Sequence, residues 1–345
     1  MKILLNEYLN NYPLPPEWSV PESFHEVLSE LGSPVHLVGL SIRHQDGRIV
    51  TASAAQINTP PVDRAFFELV ERVSVLEILT KMKRDKHRLH IRTAAGAMLR
   101  EVIAESVFPE DTTPEKSRYS KSNGVATFSD FSGACDRASL ELIERDRLLR
   151  SWFGGPIPQR LPDSIHAGWE IRDHLTQHYS PETYLFEDSR SSPDSAQVVG
   201  IFCFPKNKDR LFVFGFGSGS NLADAVSHAQ NECLQRLGFL WDQQMTEAPP
   251  FSPTPNYHQE VFLGQEGAAK VRCWLDGAHR GKAPLETAPK HKEEFLFVDI
   301  TPENLVGKLA VAKAIAPDRL PLIFGHGYQE LIPQLSPELF IHPIA

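Results

Sequence analysis

Paired carboxylates one helical turn apart are the residues of this chain whose types and spacing could do chemistry. The pattern Ala, two variable residues, Glu, two further residues, Glu or Gln, then Arg occurs in segments 65–72 (AFFELVER), 138–145 (ASLELIER) and 229–236 (AQNECLQR). Residues at i and i+3 lie on one face of a helix, so each segment presents two oxygen-bearing side chains together. These pairs are Glu68 with Glu71, Glu141 with Glu144, and Glu232 with Gln235.

The apolar neighbours of the pairs indicate where they lie. A single Glu pair followed by Arg is typical of a solvated helix face. Here Phe66, Leu69, Leu142 and Ile143 flank the pairs, which places them at the border of the interior. If the three helices converge, their carboxylates repel one another by on the order of several kcal/mol in a low dielectric. A cation is then required, and Mg2+ prefers oxygen ligands that include substrate phosphates.

Glycine-bearing segments precede the second and third pairs. Segment 122–124 (SNG) leads towards the second pair, and segment 215–221 (GFGSGSN) leads directly into the third. Free backbone N–H groups at a helix start favour phosphate binding, although a glycine hinge between strand and helix is the simpler interpretation of each segment alone. The spacing fits neither a Walker A loop nor a dinucleotide fingerprint. The sequence therefore predicts an ATP site of another kind.

Two of these blocks resemble the YcaO-like family. Segment 122–126 (SNGVA) followed by 138–146 (ASLELIERD) is similar to the family's signature, and segment 217–219 (GSG) followed by 232–235 (ECLQ) is similar to its glycine turn and E-x-x-Q motif. Segments 298–302, 310–317 and 321–325 resemble the family's final strands, and His342 with Pro343 resembles its proline-containing tail. The resemblance extends from about residue 36 to the C-terminus.

The resemblance implies ATP and Mg2+ as cofactors and assigns residues to them. Catalytic residues are not identified by it. Arginines after the glutamates either neutralise phosphate charge or hold the metal-binding carboxylates in place. The expected metal ligands are Glu68, Glu71, Glu141, Glu144, Glu232 and Gln235, and the expected ATP and phosphate contacts are Ser122, Asn123, Gly217, Ser218, Arg72, Arg145 and His228.

The implied activity is ATP-dependent activation of peptide backbone amides in a ribosomal peptide or protein. The identity of the attacking nucleophile determines whether an azoline, a thioamide or an amidine forms. A second hypothesis is a non-catalytic ATP-binding accessory protein that assists another modification enzyme. His228 replaces a basic or amide residue of the family, and the tail lacks the repeated prolines of azoline-forming members, which favours that alternative. Expected partners are the peptide or protein substrate, a separate leader-peptide-binding or sulfur-delivery protein, and a second copy in a homodimer.

Composition narrows the protein class further. A net charge of -9 over 345 residues argues against nucleic-acid binding. No signal-peptide core or apolar run long enough for a membrane span is present, so we expect a cytoplasmic protein. The cysteines lack a CxxC pair, which predicts reduced, buried thiols rather than disulfides or zinc. His174 and His178 could bind zinc from one helix face, but a polar surface pair is the preferred interpretation.

The predicted fold is α/β in the broad sense, a mixed α+β arrangement of repeated helix-and-sheet units around a central ATP and Mg2+ cleft. An N-terminal appendage (1–35) precedes one domain (36–345), with loops near 109–121, 187–196, 246–256 and 280–293. Helices carry the pairs: Thr59 precedes the first, Ser132 near Asp136 precedes the second, and Asn221 with Asp224 caps the third. Strands are predicted at 36–42, 197–204, 211–216, 271–275, 295–300, 310–316 and 322–324.

Overall fold

Helices and strands alternate irregularly along the chain. The computed structural model describes residues 2–84, 87–187, 196–244, 248–282 and 295–345. The helices are α1 (Lys2–Asn11), α2 (Val62–Arg84), α3 (Phe131–Trp152), α4 (Arg172–His178), α5 (Leu222–Leu240), α6 (Pro255–Glu260), α7 (Gln265–Leu275) and α8 (Tyr328–Leu331). The strands are β1 (Glu22–Leu28), β2 (Val35–Arg43), β3 (Ile49–Ile57), β4 (Arg88–Arg92), β5 (Met98–Ile103), β6 (Ser117–Tyr119), β7 (Val125–Phe128), β8 (Gln159–Arg160), β9 (Tyr179–Leu185), β10 (Gln197–Pro205), β11 (Val213–Gly219), β12 (Leu296–Asp299), β13 (Ala310–Ile315) and β14 (Ile323–Gly325).

The strands of the described ranges form antiparallel sheets. The strand orders are β1-β2-β3, β11-β10-β9-β8, β5-β4-β12-β13-β7 and β14-β6. Neighbouring strands pair in antiparallel fashion throughout, for example Val35 with Ile57 and Gly200 with Phe216. Helices combined with antiparallel sheets make this an α+β fold, which confirms the mixed class predicted from the sequence.

Each helix that bears a polar pair follows a strand against which it packs. The hairpin β2–β3 leads into α2, the hairpin β10–β11 leads into α5, and β7 leads into α3. Close approach in the second hairpin needs glycine, because a Cβ on Gly217 would lie 2.3 Å from the backbone nitrogen of Ala229. The apolar faces of these helices are buried, with Phe66, Leu149 and Leu237 completely inaccessible. The first residue of each pair therefore lies beside the strand that precedes its helix.

Most predicted strands are confirmed, but the one at 271–275 is wrong. That segment forms the last turns of α7. Its buried residues, Ala268, Val271, Trp274 and Leu275, follow helical spacing. Gly267 in the first turn of this helix is required by close approach, since a Cβ there would lie 2.3 Å from the Cα of Phe262. The sequence also missed β1, β3 to β9 and their hairpins, because short or alanine-rich strands carry little periodic signal.

The starts of α2 and α5 agree with the sequence, and the start of α3 differs. Helix α2 begins at Val62, directly after Pro60 and Pro61. The Asn221 side chain accepts a hydrogen bond from the Asp224 backbone at 3.0 Å, which confirms the predicted cap of α5. Helix α3 is capped by Asp130, which accepts from the Gly133 backbone at 2.9 Å, so the start placed at Ser132 is corrected.

The N-terminal segment packs against the rest of the chain. Leu5 of α1 belongs to the same apolar cluster as Phe66 of α2, and β1 pairs with β2 over its full length. The domain division at residue 35 stays a prediction, as do the loop boundaries. The loop predicted near 109–121 contains the short strand β6. Parts of the loops predicted at 187–196, 246–256 and 280–293 lie outside the described residues.

The cysteines and histidines singled out in the sequence occupy mixed environments. Cys135, Cys203 and Cys233 are buried, whereas Cys273 is exposed, so the prediction of a buried thiol is wrong at that position. Cys273 lies on the exposed face of α7, whereas its neighbour Trp274 lies on the buried face. His174 and His178 lie on α4. In the described part of the chain, no helix combines the length and apolarity needed to cross a bilayer.

Candidate functional site

The polar pairs of α2, α3 and α5 converge. The Glu71 carboxyl experiences repulsion from Glu141 and Glu68, and the Glu144 carboxyl experiences repulsion from Glu232 and Glu141. The remaining member, Gln235, donates hydrogen bonds to Ser53, whose backbone N–H donates to Glu68. All the residues predicted as metal ligands therefore border one shared region, which we call the glutamate ring.

The first residue of each pair bonds to the strand that precedes its own helix. Glu68 of α2 accepts a hydrogen bond from the backbone N–H of Ser53 in β3 at 2.9 Å. Glu232 of α5 accepts one from the N–H of Phe216 in β11 at 2.8 Å. Glu141 of α3 accepts backbone hydrogen bonds at the start of β7, including that of Val125. Each helix is thus fixed in register against its own strand.

The second residue of each pair bonds to the strand of the next unit. Glu71 of α2 accepts a hydrogen bond from the Thr127 N–H of β7 at 2.7 Å. Glu144 of α3 interacts with the Ser218 hydroxyl of β11. Gln235 of α5 donates to the Ser53 carbonyl of β3 at 2.9 Å and to its hydroxyl at 2.6 Å. The bonds run from unit to unit and return to the first, so the ring is closed.

Burial makes the ring electrostatically unfavourable when it is fully ionised. Desolvation raises the pKa of Glu71 to about 8, and repulsion from Glu141 and Glu68 adds to that rise. Desolvation also raises the pKa of Glu144 to about 7, with Glu232 and Glu141 contributing. The pKa of Glu141 is raised by the same burial, although Arg145 and Lys313 oppose it. A bound cation would reverse these shifts, because it favours the ionised carboxylates.

The arginines that end the three repeats have different roles. Arg72 binds Glu68 at 2.5 Å and Arg236 binds Glu232 at 2.6 Å, so both hold carboxylates in place. Arg145 lies 3.8 Å from Glu144, which is too far for a hydrogen bond. Its Nε and Nη1 atoms have no hydrogen-bond partner among the described residues. The Nη1 atom of Arg236 likewise has no partner there. Buried guanidinium N–H groups beside the ring suit the anionic oxygens of a triphosphate.

The remaining predicted phosphate contacts lie on two turns. Ser122 is exposed and its carbonyl accepts from the Val125 N–H at 3.0 Å, while the Asn123 Oδ1 is buried without a partner among the described residues. Gly217 and Ser218 are buried in β11. The exposed His228 donates from Nδ1 to the Ser218 carbonyl at 2.7 Å. Their roles towards a nucleotide stay predictions.

Three residues of the site were missed in the sequence. Lys313 of β13 is 8% exposed, donates to the Asn123 carbonyl and attracts Glu141, and burial lowers its pKa to about 8. A single lysine inside the apolar run 310–316 was a detectable signal. Ser53 and Thr127 had no such signal, because hydroxyl residues are common in strands and only pairing between distant units brings them to the ring.

The carboxylates of the glutamate ring, by themselves, do not form a complete metal-binding site in the part of the chain that the structure describes. Among the residues that the structure describes, no three His, Cys, Asp or Glu side chains are grouped closely enough to hold a metal ion. Carboxylates that accept backbone N–H groups still have free lone pairs. Mg2+ takes only one or two carboxylates and completes its shell with water and phosphate, so the donors present fit a metal bound together with a nucleotide.

Comparison with known proteins identifies the family. A family model described as YcaO cyclodehydratase, ATP- and Mg2+-binding, matches residues 102–319. The chain belongs to the YcaO family. ATP and Mg2+ are the cofactors of that family, and the matched range contains the second and third pairs. The first pair lies before it, and the hydrogen bond from Thr127 to Glu71 joins it to the matched region.

Solved structures share the YcaO fold at low sequence identity. A YcaO protein from Methanopyrus kandleri bound with AMPPCP and Mg2+ is 16% identical, with a TM-score of 0.54, over 91% of this chain and 89% of that one. The E. coli microcin synthetase McbBCD complex with pro-MccB17 bound is 13% identical, with a TM-score of 0.57, over 89% of each chain. No curated protein sequence matches this chain. At the level of the family, membership supports ATP-dependent peptide modification.

Proposed function

We propose that this YcaO protein activates backbone amides of a ribosomal peptide or protein with ATP and Mg2+. The observation that carries the proposal is the closed glutamate ring, in which each pair bonds its own strand and the next one. Family membership adds the cofactors. A helix-packing role alone would not account for the buried Glu144 and the half-buried Glu71, whose pKa values are raised to about 7 and about 8, since apolar side chains would pack there at lower cost.

The residues divide into metal-binding and phosphate-binding sets. Glu71, Glu141 and Glu144 have the highest cost of ionisation and gain most from a divalent cation. Glu68 in the first pair and Glu232 in the third pair are each held in place by the arginine four residues later. Arg145 is the proposed donor to phosphate oxygens, because its Nε and Nη1 atoms have no hydrogen-bond partner among the described residues.

When bound, ATP would supply a phosphoryl group to the oxygen of a backbone carbonyl that a nucleophile has attacked, and that oxygen would then leave as phosphate. The chain's own contribution is alignment and charge neutralisation, which are the largest protein effects in phosphoryl transfer. Whether a Cys, Ser or Thr side chain, a sulfide or an amine has attacked determines whether an azoline, a thioamide or an amidine forms. The microcin synthetase fold match supports a peptidic substrate, because that structure contains pro-MccB17.

Calorimetry with Mg2+ and AMPPCP tests the site. We expect the wild-type protein to bind and Glu144→Ala to lose about 100-fold or more in affinity, as removal of a direct metal ligand predicts. Glu101→Ala is the matched control, because the Glu101 side chain lies in an exposed ion pair with Arg88, on the strand hairpin β4–β5. Equal affinity in wild type and Glu144→Ala, measured with Mg2+, would remove the assigned site.

Phosphate release with candidate peptides tests the activity. Turnover that rises when one peptide is added supports amide activation, and mass spectrometry of that peptide identifies the nucleophile from the mass change. Tight Mg2+-nucleotide binding with no turnover on any peptide, alone or with the products of neighbouring genes, would instead establish the accessory role.

A further inference from the structure

A second polar cavity lies where β8, α4 and β9 meet. Its volume is about 330 Å³, and it shares no lining residue with the glutamate ring. Three cationic side chains line it, Arg160, Arg172 and Lys206. These residues come from three separate segments of the chain, and the fold alone brings their charges to one place.

The carboxylates of this cavity are largely engaged elsewhere. Glu182 accepts hydrogen bonds from the Tyr184 hydroxyl at 2.9 Å and from Arg272 at 2.5 Å. Asp163 lies 3.5 Å from Arg160, but both side chains are more than half exposed, so their attraction is weak. Arg172 and Lys206 have no ion-pair partner in the described ranges. The cavity therefore keeps uncompensated positive charge.

A buried histidine completes the donor set. His166 is 2% exposed and lines the cavity. Its Nε2 lies 2.6 Å from the Thr183 hydroxyl, and its Nδ1 has no hydrogen-bond partner among the described residues. Burial lowers the His166 pKa and Arg172 lowers it further, so the imidazole of His166 is neutral near pH 7. When the Thr183 hydroxyl donates to Nε2, the Nδ1 atom carries the proton and is a free donor.

We propose that this cavity binds the anionic oxygen group of a small ligand, a carboxylate or a phosphate, between Arg172, Lys206 and the Nδ1–H of His166. Guanidinium, ammonium and imidazole N–H groups are the donors that such oxygens prefer. The volume matches the lower end of small-molecule sites, about 300 Å³, which suits a ligand near the size of an amino acid. The site is separate from the glutamate ring and does not depend on nucleotide binding.

Calorimetric titration with inorganic phosphate and, separately, with N-acetyl-aspartate tests this site. Saturating Mg2+ and AMPPCP are present to occupy the glutamate ring. We expect saturable binding of at least one anion to wild type, and binding about tenfold or more weaker in Arg172→Gln, because a charge-assisted hydrogen bond is lost. Arg280→Gln is the matched control, since Arg280 lines a different cavity beside Gly154 and Ile157. Binding of one anion alone identifies the ligand class.

The histidine ring gives a second, local readout. In 15N NMR spectra of imidazole nitrogens, the anion is expected to shift the Nδ1 resonance of His166 in wild type and not in Arg172→Gln. Lys206→Met replaces Arg172→Gln if the latter does not fold, because Lys206 is exposed. Absence of saturable binding for both anions, or equal binding in the cavity variant and Arg280→Gln, overturns the proposal. If Mg2+ and AMPPCP do not bind, the titrations still test the cavity, because only the cavity variants are expected to weaken anion binding.

Discussion

The three pairs of the glutamate ring share one sequence pattern but differ electrostatically. The first pair, Glu68 with Glu71, and the third pair, Glu232 with Gln235, are here called the outer pairs, and the second pair, Glu141 with Glu144, is called the middle pair. Glu68 and Glu232 each accept one strand N–H group and one arginine at i+4, with nearly equal distances in both units. Among the described residues, no arginine lies within hydrogen-bond distance of the middle pair, and Arg145 is 3.8 Å from Glu144. One carboxylate of each outer pair is thus neutralised by an arginine, whereas burial raises the pKa values of Glu71, Glu141 and Glu144, which would gain most from a bound cation.

The largest difference between the pairs is expected in Mg2+-dependent nucleotide affinity. Glu144→Gln should weaken binding of Mg2+ and AMPPCP by about 100-fold, whereas Glu68→Gln should weaken it by about tenfold, because Glu68 is already neutralised by Arg72. Calorimetry at several Mg2+ concentrations separates the two effects. Equal losses in both variants would show that the middle pair is not special.

The arginines of the outer pairs should differ in their contribution to stability. The Arg236 side chain is 10% exposed and stacks over the Phe214 ring at 4.2 Å, while Arg72 is 47% exposed. Arg236→Met should lower the free energy of unfolding by about 2 kcal/mol, since it leaves the partly buried Glu232 without its ion-pair partner and close to Glu144. Arg72→Met should cost less than about 1 kcal/mol. Urea unfolding measures both, and similar costs would contradict the difference in burial.

The raised pKa values predict a pH dependence of the nucleotide-free protein. The native state holds protons on Glu71 and Glu144, whose pKa values are about 8 and about 7, that the unfolded chain has released near its ordinary carboxyl value. Because these native-state pKa values lie above the unfolded one, stability from these groups is lost as pH rises, by about 4 kcal/mol between pH 6 and 8.

Thermal unfolding between pH 6 and 8 measures this loss. Glu71→Gln should remove much of the slope, and Mg2+ with AMPPCP should flatten it in wild type, because a cation favours the ionised carboxylates. A slope that is unchanged in Glu71→Gln would show that the carboxyl group does not titrate in this range.

The smallest effects are expected where the helices of the ring are locally alike. Asp130 caps α3 and Asn221 caps α5 through hydrogen bonds of 2.9 and 3.0 Å. Asp130→Ala and Asn221→Ala should each lower the free energy of unfolding by about 1 kcal/mol, because a cap satisfies local N–H groups whatever the helix carries. Urea unfolding of the two variants is the measurement. Costs that differ by more than about 1 kcal/mol would mean that the ring also couples to the helix starts.

Local patterns carried much of the fold. The helices of the pairs, the cap at Asn221 and strands such as β10 and β13 have periods or capping residues that a sequence displays. The strand assigned to 271–275 failed, because a short apolar run with Val, Cys and Trp fits either period and its burial decides. The alanine-rich β3 had no signal, although its Ser53 closes the ring.

The sequence by itself determined which side chains could form an ATP and Mg2+ site, since the repeated pairs and glycine turns are local features. Only the tertiary structure decided which of them are neutralised and which are not. Whether Arg72 holds a carboxylate and Arg145 does not, and whether Lys313 faces Glu141, depends on distances between helices and strands far apart in the chain. Electrostatic energies depend on such distances and on burial, and neither is encoded in spacing along one helix.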